Sequence, residues 1–144
     1  MFKASAIMKS RVLMVTPETT VDSAVELMLE HDVSGVPVVN EHGHLVGMFS
    51  ETDQPLPNGL QAPVAEYMST DVTSIDAADS LTDVARAFRT KAVHRMPVTR
   101  EGAVVGVIGC RDLTRFVREL EGEMQTLSKL VETTETCDLW CNQD

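Results

Sequence analysis

An internal duplication constrains this chain more than any other feature. Val36 lies against Met96 at an offset of 60 residues, and each is followed by Pro-Val. The same offset matches Met8 with Met68, and other apolar positions follow it. After the Pro-Val pairs the offset falls to 59, as between positions 53 and 112, because the second copy has one turn residue fewer. A turn is where a duplicated unit best tolerates such a loss. Matches this long and ordered predict two copies of one structural unit.

Each copy has the same order of predicted elements, β-α-β-β-α. A short strand comes first, then a helix with apolar residues at helical spacing, then two strands joined by a Gly-containing turn. A second helix begins near the aspartate that follows the last strand. Thr19-x-x-Asp22 and Ser80-x-x-Asp83 predict the starts of the first helices, because this spacing is typical of a capping box. The predicted strands are residues 12–15, 35–39 and 45–49 in the first copy and 72–75, 93–98 and 103–108 in the second.

The two copies define the predicted domain organisation. We predict repeat 1 over residues 6–53, a linker loop over residues 54–63 and repeat 2 over residues 64–114. Three prolines and an Asn-Gly pair make the linker a loop, and it displaces most of the helix expected after Asp53. Neither copy alone has enough apolar surface for a stable core. We therefore expect an α/β fold in which the two repeats pack about a pseudo-twofold axis.

A C-terminal extension follows the second copy. Its apolar residues repeat with heptad spacing, which predicts a helix over residues 115–133 that packs on its own module or pairs with another chain. These residues are Leu113, Val117, Leu120, Met124, Leu127 and Val131. Residues 134–144 are expected to form a flexible tail. Cys137 and Cys141 lie in it without enough further ligands for a metal site, so none is expected there.

Composition and charge exclude several classes of function. The 144 residues have a formal net charge of −10, which argues against general affinity for nucleic acid or an anionic membrane surface. No apolar run approaches the length of a membrane-spanning helix, and the start lacks the apolar core of a signal peptide. Three cysteines do not suggest a disulfide framework, so a cytoplasmic location is expected. No catalytic triad, P-loop or dinucleotide fingerprint is evident, and we do not expect an enzyme.

The order of these motifs resembles that of the CBS domain, named after cystathionine β-synthase. The resemblance rests on Gly-Val-Pro-Val-Val and Leu-Val-Gly-Met-Phe-Ser-x-x-Asp in repeat 1, and on their counterparts up to Asp112 in repeat 2. It implies clefts between the repeats that commonly bind AMP, ADP, ATP, S-adenosylmethionine or NAD. It also implies that the module regulates an attached or partner protein, which the sequence does not identify. It implies neither catalysis by the module nor a covalent cofactor. Since such modules commonly dimerise, we expect a homodimer.

The resemblance also implies which residues would hold a nucleotide. Asp53 and Asp112 match the aspartate that accepts the ribose hydroxyls. Ser50 lies at the following helix start, where backbone N–H groups favour phosphate, and repeat 2 has a glycine there. His94 and Arg95 resemble a phosphate-contacting His-Arg pair of this family, while repeat 1 has Ser-Gly at those positions. The best predicted site is therefore composite, with Ser50 and Asp53 from repeat 1 and His94 and Arg95 from repeat 2.

Two further features of this predicted site come from the residues near the strands. Val15 and Val36 are expected to lie against the adenine. Lys9 and Arg11 lie close to the first strand and are candidates for additional positive charge.

Each of these assignments has a structural alternative. Asp53 and Asp112 could simply cap a helix, and Ser50 could be an ordinary strand-end hydroxyl. Val15 and Val36 could be plain core residues, His94 could be a surface or core histidine, and Arg95 could form an ion pair with an acidic residue across the repeat interface. The corresponding functional alternative is a ligand-free structural or dimerisation module that mediates a protein–protein interaction.

Overall fold

The helices and strands that form follow the predicted order along the chain. The structure, a computed structural model, describes residues 2–53, 57–91 and 93–119. Its strands and helices are α1 (Val21–Glu30), β1 (Gly35–Val39), β2 (Leu45–Ser50), β3 (Ile75–Asp76), α2 (Leu81–Lys91), β4 (Arg95–Arg100), β5 (Ala103–Gly109) and α3 (Cys110–Glu119). Single 3-10 turns cover Ala4–Ala6, Glu51–Asp53, Pro57–Gly59 and Val64–Glu66. The mixed α/β class and the tandem repetition are confirmed.

The sheets show the repetition and correct the predicted first strands. β1 pairs antiparallel with β2, and the second sheet has the order β3-β4-β5 with β3 parallel to β4. In repeat 1 the counterpart of β3 is one residue, Val15, which bonds to Pro37 and Val39 at 3.1 and 2.9 Å. Residues 12–14 and 72–74 join no ladder in the described part of the chain. The predicted strands 12–15 and 72–75 were therefore too long at their starts.

The remaining boundaries differ by one or two residues. β2 and β5 each extend one residue further than predicted, and β4 spans Arg95–Arg100 instead of residues 93–98. Helix α1 is capped by Thr20, whose Oγ1 accepts the Ser23 N–H at 3.2 Å. The prediction of Thr19 was wrong, because its hydroxyl closes the preceding turn by accepting the Thr16 N–H at 3.1 Å. Ser80 and Asp83 form the predicted reciprocal cap of α2.

The chain forms two compact units, and each unit consists of stretches that are separated in the sequence. We call residues 13–72 and 101–104 the repeat-1 unit; the repeat-2 unit contains residues 2–12, 73–100 and 105–119. The first residues of each repeat therefore belong to the other repeat's unit, and we call them its leading segment, residues 2–12 for repeat 1 and 64–72 for repeat 2. Lys9 exchanges two backbone hydrogen bonds with Val107 at 2.9 and 3.0 Å, and Ser69 does the same with Met48 at 2.8 and 2.9 Å. The leading segments are exchanged between the units.

Each unit has its own hydrophobic cluster, and each cluster includes a residue of the exchanged segment. Val64 is fully buried in the repeat-1 unit, and Ala4 is fully buried in the repeat-2 unit. The repeat-1 core contains Val15, Val21, Ala24, Met28, Val36, Val38, Phe49 and Val64. The repeat-2 core contains Ala4, Ile75, Ala77, Leu81, Val84, Ala85, Phe88, Met96, Val98, Ile108, Cys110 and Leu113.

The linker and the C-terminal extension are described only in part. The carbonyls of Leu60 and Ala62 accept the first N–H groups of α1, those of Asp22 and Val21, at 2.8 and 2.9 Å. Residues 54–56, the predicted helix beyond residue 119 and the tail with Cys137 and Cys141 lie outside the described residues. No helix within the described part is long and apolar enough to cross a membrane.

Two glycines allow the exchanged segments to approach the strands. A Cβ atom at Gly47 would lie 2.9 Å from the Ser69 carbonyl oxygen, and one at Gly106 would contact the Met8 sulfur and lie 3.0 Å from the Lys9 carbonyl oxygen. We expect Gly47→Ala and Gly106→Ala each to lower the free energy of unfolding by about 1–3 kcal/mol, because the segment must shift. Chemical denaturation measures this. Gly35→Ala, whose Cβ would find its nearest atom at 3.3 Å, is the milder control. Equal stability of all three variants and the unaltered chain would contradict the close approach.

Candidate functional site

An aspartate closes the turn after the last strand in each unit. The Ser50 N–H donates to Oδ2 of Asp53 at 3.0 Å, and the Gly109 N–H donates to Oδ2 of Asp112 at 2.9 Å. Both aspartates are half-buried. Their turn-closing role, which the cap interpretation anticipated, is therefore present. It occupies one oxygen of each carboxylate.

The turn in the repeat-1 unit is rich in hydroxyl groups. The Ser50 hydroxyl lies 3.0 Å from Oδ2 of Asp53 and 2.8 Å from the Thr52 hydroxyl. Among the described residues no hydrogen bond or ion pair reaches Oδ1 of Asp53. A carboxylate oxygen of this kind can accept a hydrogen bond from a hydroxyl group.

The turn in the repeat-2 unit is bordered by basic side chains. Lys9 Nζ lies 3.7 Å from Oδ1 of Asp112, whose side chain is 12% exposed. A Cβ atom on Gly109 would lie 3.4 Å from Asp112 Oδ2 and 3.7 Å from Arg95 Cγ, so Arg95 borders the same turn. Arg95 itself is exposed and forms no ion pair with another described residue. The predicted alternative of an ion pair for Arg95 therefore has no support within the described chain.

The residue before each strand β1 or β4 is tied to the same turn. The His94 carbonyl accepts the Cys110 N–H at 3.0 Å, and the Ser34 carbonyl accepts the Glu51 N–H at 2.9 Å. The structure thus brings His94, Arg95 and Asp112 together in the repeat-2 unit. Ser50 and Asp53 lie in the repeat-1 unit. The composite site, which combines residues from both units, stays a prediction.

The two predicted adenine contacts are core residues. Val36 is fully buried and Val15 is 4% exposed, and both pack in the repeat-1 core. Their packing role is therefore shown, while a contact between either side chain and adenine stays a prediction.

The sequence showed only that Lys9 is close to the first strand along the chain. In the structure it pairs with β5 and lies beside Asp112 of the repeat-2 unit, and its contribution of positive charge to a ligand site stays a prediction. The match of Met8 with Met68 showed that the leading segment belongs to the duplicated pattern. It could not show which copy each segment packs on. Arg11 is exposed, and within the described residues no cluster of His, Cys, Asp or Glu could hold a metal ion.

The chain matches a known family over both repeats. The model of the CBS domain matches residues 4–53 and 64–119. CBS domain-containing protein YhcV of Bacillus subtilis is 33% identical over 111 residues, which cover 74% of this chain and 79% of that protein.

Solved structures share the fold. The crystal structure of Hypoxic Response Protein I with two coordinated zinc ions is 25% identical and gives a TM-score of 0.72, covering 81% of this chain and 99% of that one. The related hypoxic response protein 1 of Mycobacterium tuberculosis is 28% identical over 125 residues, covering 83% of this chain and 87% of that protein. CBSX2, known from Arabidopsis thaliana, has a crystal structure in complex with AMP that gives a TM-score of 0.75 at 24% identity, covering 83% and 98% of the two chains. This last likeness shows the fold alone.

Proposed function

Because the chain belongs to the CBS domain family, we propose that it is a regulatory module that binds an adenine nucleotide or a related adenosyl compound. The candidates are AMP, ADP, ATP, S-adenosylmethionine and NAD. The observation that most supports this is the repeated turn with a half-buried aspartate. In both units one oxygen of that carboxylate accepts a backbone N–H at the turn, and in the repeat-2 unit the other oxygen lies 3.7 Å from the Lys9 ammonium.

The proposed contacts follow from the chemistry of a nucleotide. An ionised carboxylate accepts two adjacent ribose hydroxyls well, and Asp53 and Asp112 have this role. The hydroxyl of Ser50 and the guanidinium of Arg95 are suited to phosphate, Arg95 through a bidentate contact, with His94 beside it. Val15 and Val36 are the proposed apolar contacts of adenine. The AMP bound to CBSX2, a chain of the same fold, supports an adenine ligand.

Ligand binding would regulate by shifting a conformational equilibrium. A ligand that contacts one arrangement of the module better than another raises the population of the first. A partner protein, whose identity the sequence does not indicate, would respond to that arrangement. We further propose that the module has no catalysis of its own and works as a homodimer in the cytoplasm.

One observation favours the second candidate, a ligand-free dimerisation module. The Asp112 carboxylate already faces Lys9, whereas the corresponding turn of the repeat-1 unit is bordered by Ser34 and Gly35, neither of which has a basic side chain. A module of this kind would need no ligand to fold or to associate.

A thermal-shift assay separates the two candidates. The chain is melted with AMP, ADP, ATP, S-adenosylmethionine and NAD, with GMP as the matched control for the base. A ligand present at about a hundredfold over its Kd adds roughly 2.7 kcal/mol, which should raise Tm by roughly 5–10 °C. A shift with an adenosyl compound that exceeds the shift with GMP supports the sensing module. No shift with any of the five at millimolar concentration would leave only the dimerisation module.

A further inference from the structure

The two turns occupy equivalent places in their units but differ in charge. We define the repeat-2 cluster as Lys9, His94, Arg95, Gly109, Arg111 and Asp112, and the repeat-1 cluster as their counterparts Ser69, Ser34, Gly35, Ser50, Thr52 and Asp53. The repeat-2 cluster has three basic side chains beside its aspartate. The repeat-1 cluster has hydroxyl groups and glycine at all those positions, so its aspartate has no basic neighbour within the cluster.

This difference arises on closely similar backbone frames. Lys9 and Ser69 are anchored by the same pair of backbone hydrogen bonds to β5 and β2 respectively. The N–H to carboxylate bond that closes each turn is 2.9 Å in one unit and 3.0 Å in the other. In a chain with 22 acidic and 12 basic residues, three basic side chains around one turn are a marked local departure from the average charge. The side chains, not the backbone, distinguish the two clusters.

We propose that the two clusters select adenosyl ligands of different charge. The repeat-2 cluster takes a phosphate-bearing ligand, with Lys9 as a specificity-determining residue. The repeat-1 cluster takes an adenosyl group without phosphate, so that in this refinement the Ser50 hydroxyl binds the adenosyl group and Arg95 is left as the phosphate contact. This inference rests on the proposed function.

The charges around each turn determine whether the cluster attracts a phosphate-bearing ligand. Phosphate is attracted by Lys9 and Arg95, whereas near Asp53 it meets a carboxylate that no basic side chain of its cluster offsets. Lys9 is 65% exposed and its 3.7 Å pair with Asp112 is long. A pair of this kind contributes little to stability, so the ammonium can turn to a phosphate at small cost.

Titration calorimetry with ATP and with adenosine tests the proposal on the full chain. Lys9→Gln combined with Arg95→Gln should weaken ATP binding by about tenfold or more and leave adenosine within about twofold. Lys9→Arg should retain ATP binding. Raising the salt concentration should weaken ATP binding in the unaltered chain and much less in the double variant. Lys3→Gln, which removes an exposed lysine of the same leading segment outside the cluster, is the matched control and should change neither ligand.

A substitution that adds a positive charge in the repeat-1 unit is an independent test. Ser69→Lys places an ammonium at the position equivalent to Lys9 and should increase ATP binding relative to adenosine. Melting each variant without ligand confirms that it is folded. Equal losses for ATP and adenosine in the double variant would overturn the proposal. The proposal would also be overturned if, in ATP binding, Arg95 were thermodynamically coupled to Asp53 and not to Asp112. Such a coupling indicates the composite site. If the unaltered chain bound no adenosyl compound, the proposed function itself would fail, and the inference with it.

Discussion

Val64→Asp is expected to lower the free energy of unfolding by about 4 kcal/mol or more. Val64 is fully buried in the repeat-1 core, so the substitution removes apolar packing and places a carboxylate there without a partner. Domains of ordinary stability have only about 5–15 kcal/mol in total. Chemical denaturation measures the loss. Ala65→Asp is the matched control, because Ala65 is exposed in the same turn and its substitution should change stability by about 0.5 kcal/mol at most.

The location of the destabilisation within the fold is more informative than its total size. Val64 belongs to the segment that leads into repeat 2, yet it packs on residues of repeat 1. Hydrogen exchange should therefore show the largest loss of protection in β1 and β2. Ala4→Asp should instead cause the largest loss of protection in β4 and β5. Ala6→Asp is its control, because Ala6 is exposed. Loss of protection that begins in β4 and β5 for Val64→Asp would contradict the exchange of the leading segments.

Asp53→Asn combined with Asp112→Asn is expected to weaken adenosyl binding by roughly a hundredfold. Both proposed ribose contacts lose their charge, and a charge-assisted hydrogen bond contributes about 1.5–3 kcal/mol. An asparagine side-chain oxygen can still accept the N–H of Ser50 or Gly109, so the turns should remain closed. Calorimetric titration with AMP and ATP measures the loss, and denaturation of the ligand-free variant checks the fold.

Asp71→Asn is the control for this double variant, because Asp71 is exposed and outside both clusters. It should bind as the unaltered chain does. If the double variant also bound as the unaltered chain does, the two aspartates would be turn-closing residues only, and the ribose assignment would be wrong.

The duplication predicted most of the fold because it repeats local patterns. The apolar spacing of α1 and α2, the hairpin around Gly43 and the cap at Ser80 all depend on residues close together in the chain. The choice between Thr19 and Thr20 as the cap of α1 depended on which hydroxyl the preceding turn uses. Two adjacent threonines do not differ in a pattern of residue types.

The sequence indicated candidate site residues one by one but not which of them lie together. The resemblance to the CBS domain indicated Asp53 and Asp112; the structure places each at the close of its turn, and their role toward a ligand stays a prediction. The partner of Asp112 was not predictable, because Lys9 is separated from it by most of the chain. The duplication shows that a leading segment precedes each copy, and the two ways of packing these segments have identical sequence patterns. The long-range backbone pairings of Lys9 with Val107 and of Ser69 with Met48 decide between them.

The most direct test of adenosyl binding at these turns is a two-dimensional amide NMR titration of the full chain with AMP and ATP. The N–H groups of Ser50 and Gly109 donate to the two proposed ribose-binding carboxylates, so their resonances report on those oxygens. We expect saturable shifts of one or both signals, while the amide of Ala24, buried within α1, changes little. Saturable binding that leaves both the Ser50 and Gly109 signals unmoved would contradict the account.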